Sequence, residues 1–352
     1  MSLRGDVCVV TGACGFLGKS LVKLLLEEEK MAEIRLLDKH VQPEFLKSLE
    51  GKTCLSLHYS SSYFAEAHLK CRKMFVSFFY NSPLFLIDMI KSCSSYFMRT
   101  QLLLEACIQE NVASFIYTSS IEVMGPNSRG EPIFYGSEDT VYDCTLKFSY
   151  SKTKKEAEQR TLQANSEVLQ NGGQLATCAL RPMYIYGEDS HFLLGHMRDG
   201  IRNKNVLYRI SRAEARVNPV YVGNVAVAHL QAARCLKDPQ KRNVIGGKLY
   251  FISDDTPPIS YSDLNHVLMS PLGFSIQEKL PLPFCLLYVA CFFLDILCTM
   301  LRPFIRIALC PRVFSFQYKK NTPHILQPLL KLKVVLLLPL SISYFISFVS
   351  YM

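Results

Sequence analysis

The 352-residue sequence has no Cys-x-x-Cys pair, although it contains 13 cysteines. They stand at 8, 14, 54, 71, 93, 107, 144, 178, 235, 285, 291, 298 and 310, without the paired spacing of a zinc site or a disulfide framework. The reading is therefore reduced core thiols, no metal, and a catalytic part facing the cytosol or another reducing space. No aromatic-interleaved basic stripe accompanies the formal charge of +9, which arises from 39 Lys and Arg against 30 Asp and Glu. That pattern disfavours nucleic acid and leaves an anionic cofactor or anionic membrane lipid as the partner of the excess charge. No signal peptide is expected, because the first apolar run leads within two residues into a glycine loop that a mature domain would use. No internal repeat is evident, and no glycine occurs between Gly51 and Gly125.

What is present reads as alternating strands and helices. The apolar run Asp6 to Val10 leads into TGACGFLG and then KSLVKLLLEEE, which is strand, glycine turn and helix in sequence. Further strand candidates are Ile34 to Leu37, Ser114 to Thr118, Leu175 to Leu180 and Lys248 to Ile252, with helices at Gln101 to Gln109 and roughly 150 to 170. This alternation predicts an α/β fold with a Rossmann-type, doubly wound, mostly parallel sheet. Two later runs break the pattern. Residues 282 to 301 carry one charge, Asp295, and residues 334 to 352 carry none. Each has about the roughly 20 apolar residues that a bilayer helix needs, so membrane contact is expected there rather than a buried core helix.

Three constellations carry chemistry. Gly12, Gly15 and Gly18 directly follow a strand and open a helix. In that spacing the first glycine turns the chain, the second admits a pyrophosphate, and the third lets helix pack on strand. Asp38 ends the second strand 20 residues after Gly18, where a carboxylate accepts from both ribose hydroxyls and repels a 2′-phosphate. NAD is favoured over NADP, a preference that the adjacent Lys39 softens. The second constellation is Thr118, Ser119 and Ser120 at the end of another strand, the edge at which ligands sit in open α/β sheets. The third is Tyr150 and Lys154, one helical turn apart, with Cβ atoms roughly 5 to 6 Å from one another. A nearby ammonium brings a phenol, ordinarily near pKa ~10, toward neutral pH. Such a Tyr can take an alcohol proton as hydride leaves the same carbon. Lys152 and Lys155 point elsewhere and read as solvated charges.

With these residues in hand the chain resembles the extended short-chain dehydrogenases, and within them the 3β-hydroxysteroid dehydrogenase/Δ5-Δ4 isomerase family. The matching segments are VTGACGFLGKSLVKLLL, IRLLDK, QLLLEACIQ, FIYTSSIEVMGPNS, YSKTKKEAE, NGGQLATCALRPMYIYGE, NPVYVGNVAVAHLQAA and GKLYFISDDTPPISY, about three quarters of the chain. The resemblance implies NAD-dependent oxidation of a 3β-hydroxy-5-ene steroid to the 3-ketone, then a shift of the double bond into conjugation. It implies Ser120, Tyr150 and Lys154 as the catalytic set. Gly12, Gly15, Phe16, Leu17, Gly18, Asp38, Lys39, Thr118, Tyr150, Lys154, Arg181 and Pro182 would hold NAD. Ser120, Glu122, Asn218, Val220, Tyr221 and Asn224 would face a steroid or sterol substrate. It also implies attachment to endoplasmic reticulum or mitochondrial membrane, and homodimer formation is left open.

The resemblance stops at two places. Between residues 54 and 99 the family has a strand followed by an acidic residue, then a strand ending in a small turn over the cofactor. Here the stretch is rich in Ser, Phe, Tyr and Cys, with only Glu66 and Asp88 acidic. Beyond residue 318 the family continues with a polar amphipathic helix, whereas this chain becomes apolar. The lengths fit and the chemistry does not, as translated non-coding sequence or an altered splice form would read. Bulky side chains in residues 54 to 99 would crowd the cofactor. The expected organisation is an NAD-binding domain over 1–190, a substrate lobe over 191–280 and a membrane-associated region over 281–352. Two alternatives stand beside the steroid reading: a nucleotide-sugar epimerase or reductase of the same superfamily, and a catalytically impaired membrane-associated variant of the scaffold.

Overall fold

A computed structural model describes residues 2–28, 30–38, 43–50, 55–59, 74–77, 95–125, 136–139, 149–209, 211 and 213–278. The apolar runs at 282–301 and 334–352, Lys39, and most of 54–99 lie outside the described residues. In chain order the elements are β1 (Val7–Thr11), α1 (Phe16–Glu28), β2 (Glu33–Asp38), α2 (Pro43–Lys47), β3 (Leu55–Tyr59), β4 (Met74–Ser77), α3 (Ser95–Gln109), β5 (Ser114–Thr118), a 3₁₀ turn (Ile121–Met124), α4 (Ser149–Gln163), β6 (Ala176–Pro182) and β7 (Tyr184–Tyr186). There follow α5 (His191–Arg202), β8 (Val206–Tyr208), β9 (Arg216–Val217), β10 (Pro219–Tyr221), α6 (Val222–Lys237), α7 (Pro239–Ile245), β11 (Lys248–Ile252), β12 (Ile259–Ser260), α8 (Tyr261–Met269), a second 3₁₀ turn (Ser270–Leu272) and β13 (Ser275–Gln277).

Seven of the described strands form one sheet in the order β11-β6-β5-β4-β1-β2-β3, and every pairing in it is parallel. The order reverses between β1 and β4. A doubly wound sheet opens its ligand crevice at that switch point, beyond the carboxyl ends of the strands. Side-chain alternation explains why both faces are covered. Cys8, Val10, Ile116, Cys178 and Leu180 pack with α1 and α6 on one side. Val9, Phe115, Tyr117 and Ala179 pack with α3 and α4 on the other. Strands buried on both faces need near-continuous apolar sequence, which these have.

The helices follow the same logic. In α6 the buried residues Val222, Val225, Ala226, His229, Leu230, Ala233 and Leu236 recur at the three- and four-residue spacing of one helix face. That face lies against α1, β5 and β6. Both α6 and β11 therefore belong to the sheet body, so the expected division at residue 190 does not separate two lobes. The chain leaves the sheet after β6, forms α5 and β8, and returns through α6 before β11. The remaining small pairs are β10 with β7, β12 with β9 and β13 with β8. Within the stretch where the resemblance stops, β3 pairs with β2, and β4 lies between β1 and β5. The backbone of residues 55–59 and 74–77 thus occupies the two strand places that a Rossmann sheet requires.

Candidate active site

The glycine turn is built at the carboxyl end of β1. Gly12 adopts φ +64°, its amide donates to Leu37 O at 2.8 Å, and its carbonyl accepts from Gly15 N at 2.9 Å. A Cβ on Gly18 would stand 2.1 Å from Gly12 O, so only glycine allows α1 to begin this close to the turn. Asp38 closes the cradle from β2, its Oδ2 accepting from Cys14 N at 2.9 Å. A helix N-terminus behind a glycine turn, with a carboxylate across it, fits the diphosphate and ribose of a dinucleotide. The side chains of Phe16 and Leu17 are buried in the core. What they offer a phosphate is the backbone N–H of the first helical turn, where no intrahelical acceptor exists.

At the end of β5 the chain turns sharply. Ser119 N donates to Leu180 O at 2.7 Å, which ties this edge to β6. Ser120 is extended and caps the 3₁₀ turn, its Oγ accepting from Glu122 N at 3.2 Å. Tyr150 and Lys154 sit in the first turns of α4, which packs against this 3₁₀ turn. Lys154 is 2% exposed. Its Nζ donates to Thr118 O at 2.7 Å and lies 4.9 Å from the centre of the Tyr117 ring. Burial pushes Lys154 down to about 7, against the pull of Glu158 and then Glu122, which favour its charged form. Burial of the Glu122 carboxyl pushes it up to about 7, opposed by Lys154, although part of the residue reaches the surface.

The model of the 3-beta hydroxysteroid dehydrogenase/isomerase family matches residues 9–284. The chain belongs to that family. Among solved structures it is similar to UDP-N-acetylglucosamine 4-epimerase from Methanobrevibacter ruminantium M1, with TM-score 0.58 and 17% identity over 79% of this chain and 87% of that one. It is also similar to dTDP-glucose 4,6-dehydratase from Bacillus anthracis str. Ames, solved in complex with NAD, with TM-score 0.58 and 16% identity over 78% and 84%. At such identities the likeness to solved structures concerns the fold.

Set against the residues that family membership suggests, the structure brings Ser120, Glu122 and Lys154 to one strand end, with Tyr150 one turn before Lys154 on the helix that packs there. It assigns others elsewhere. The Thr118 hydroxyl turns away from the crevice and meets His229 Nε2 at 2.9 Å in the interior, so only its carbonyl serves the site, through Lys154. Arg181 is buried at the end of β6 with its guanidinium on Glu158, at 2.8 and 2.6 Å, rather than directed to a cofactor; Pro182 ends the same strand. Val220 is fully buried in the core and lines no open surface. Asn218 is exposed. Asp254 accepts from Tyr221 N and from Asn224 Nδ2, both at 2.8 Å, and the Tyr221 hydroxyl donates to Glu188 at 2.8 Å. Burial raises the Asp254 carboxyl, but four hydrogen bonds, from the Thr256 hydroxyl, Tyr221 N, Asn224 Nδ2 and Thr256 N at 3.0 Å, outweigh it and hold the group down at about 2.

Glu158, His229 and Asp254 escaped the sequence reading. Glu158 had a signal: it follows Lys154 by four residues on a helix face whose next neighbour, Ala157, is core. His229 sits on the apolar face of α6 and reads there as an ordinary core histidine. Asp254 follows a strand in a loop of polar residues, and nothing local marks its partners.

Proposed function

We propose that this protein is an NAD-dependent dehydrogenase of 3β-hydroxy-5-ene steroids or sterols that also isomerises its product to the conjugated ketone. The observation that supports it most is Tyr150 and Lys154 one turn apart on a helix that packs against the 3₁₀ turn Ser120 caps, with Lys154 anchored to the end of β5, in a chain matched by the family model over residues 9–284. Gly12, Gly15, Gly18 and Asp38 would hold NAD, which when bound supplies the hydride acceptor. Ser120 would orient the substrate hydroxyl. Tyr150 takes its proton, and the Lys154 ammonium favours the phenolate that makes this possible. The apolar run at 282–301 would hold the protein on a lipid bilayer of the reticulum or mitochondrion, from which a sterol is drawn.

Fluorescence titration with NADH, together with turnover of a 5-ene-3β-ol by membranes of expressing cells, tests the reading. Binding with turnover supports it. Binding without steroid turnover favours a nucleotide-sugar enzyme, and absence of binding favours a silent scaffold. Tyr150→Phe should lower oxidation by at least about 10²-fold, the scale of a lost acid/base group, while leaving NADH affinity within about twofold. Unchanged turnover would remove Tyr150 from the chemistry.

A further inference from the structure

Glu158 follows Lys154 by one helical turn on the same face of α4 and is 2% exposed. Both of its oxygens accept from Arg181, one from Nε at 2.8 Å and the other from a terminal nitrogen at 2.6 Å. The remaining terminal nitrogen of Arg181 contacts Met124 Sδ at 3.0 Å, and its guanidinium lies 5.4 Å from the centre of the Phe251 ring. A buried carboxylate four residues from a buried ammonium would otherwise pair with it, since an uncompensated buried charge is strongly unfavourable. Arg181 has taken that carboxylate with a fork geometry a lysine does not match.

We infer that Arg181 is a positioning residue for Lys154: by occupying both oxygens of Glu158 from the end of β6, it leaves the Lys154 ammonium on the Thr118 carbonyl beside Tyr150 and Ser120. The groups around Lys154 come from every element packed on it. Tyr150 and Glu158 share its helix, Tyr117 faces it from β5, and Glu122 acts on it from the 3₁₀ turn. Arg181 reaches it through Glu158, His229 of α6 reaches it through Thr118, and α3 alongside carries Arg99 and Glu105. Glu158 favours the charged form of Lys154, and Arg181 offsets that pull. Loss of Arg181 therefore raises the Lys154 titration point and draws the ammonium along the helix. Loss of the Glu158 charge leaves Arg181 unopposed and lowers it. Removing both restores the balance, although the brace between α4 and β6 is then gone as well.

The test is titration of the Lys154 Cε resonance in ¹³C-lysine-labelled protein, assigned by its loss in Lys154→Met, in Arg181→Met, Glu158→Gln and the double variant. The midpoint is expected to rise by about one pH unit in Arg181→Met, to fall in Glu158→Gln, and to return to within about half a unit in the double variant. Should Arg181→Met not fold, Arg181→Lys keeps the charge without the fork and is expected to give a smaller rise. The inference rests on the dehydrogenase reading only in its activity arm, where kcat falls about tenfold or more in Arg181→Met and recovers in the double variant. Single variants that move the midpoint in the same direction, or a double variant displaced as far as Arg181→Met, would overturn it. Wild-type protein that titrates as described but turns over no steroid would overturn the proposed function instead.

Discussion

His229 shows how one side chain can serve the site without touching it. A carbonyl can only accept, so Nδ1, 2.7 Å from Val225 O, carries the proton, and Nε2 accepts from the Thr118 hydroxyl. The bond accepted at Nε2 needs the neutral ring, and burial pushes the pKa from 6.5 down to about 4 against the Val225 bond, which favours the charged form. The unfolded chain therefore binds a proton between pH 6.5 and about 4 that the folded chain refuses. Stability from this group is present above pH 6.5 and is lost as pH falls through about 4, by about 3 kcal/mol in all. Buried His196 acts in the same direction. Glu122, raised from 4.5 to about 7, acts oppositely, adding stability below pH 4.5 that fades as pH rises through 7. Chemical denaturation at pH 6.5 and 4.5 separates them: His229→Gln should lose less stability across this interval than wild type by about 2 kcal/mol or more. Equal losses in the two proteins would show that His229 does not hold its neutral form against the acid.

At the scale of elements, the turn between β1 and α1 fixes where the crevice can be. The 2.1 Å between a Cβ on Gly18 and Gly12 O is an approach to rigid backbone, so neither side can yield cheaply. Gly18→Ala should lift the N-terminus of α1, destabilise the fold by about 1 to 3 kcal/mol, and weaken NADH binding more than it lowers the melting temperature suggests. Thermal melting and NADH fluorescence on the same preparation check this; unchanged affinity would mean that the diphosphate is not bound at this turn. Strands and turn of this kind were legible in the sequence because local pattern decides them: β5 and β11 have the expected bounds, and Tyr150 and Lys154 fall on α4 as their spacing requires. The partners of Arg181, Thr118 and Tyr221 were not legible. Each bond joins residues far apart in the chain, such as Thr118 and His229, and strand-end residues look alike whether they face the crevice or the interior. The places of β3 and β4 were hidden for a different reason. A parallel sheet asks only for short apolar backbone at those positions, and it accepts LSLHY and MFVS without the residues that the family resemblance led one to look for.

The whole molecule joins a dinucleotide-type sheet to a strongly apolar stretch. Among the described residues no helix is long and apolar enough to cross a membrane, and the family match runs to residue 284, just into the apolar run of 282–301. Attachment would then fall to that run, with the net charge of +9 as a second, weaker source of attraction to anionic lipid. Salt separates the two, because charge attraction is screened within roughly 3 Å at 1 M and apolar burial is not. A lysine at the centre of a bilayer helix costs about 2.5 to 3.5 kcal/mol, so Leu287→Lys with Phe293→Lys opposes insertion strongly and changes no residue of the sheet. Wild-type protein is expected to sediment with membranes in high salt, and the double-lysine variant to move into the supernatant with its NADH binding intact. If the wild type is released by salt alone, surface charge rather than the 282–301 run holds it. If the double-lysine variant still sediments while folded, the run is not the anchor, and the proposed withdrawal of a sterol from the bilayer through it fails as well.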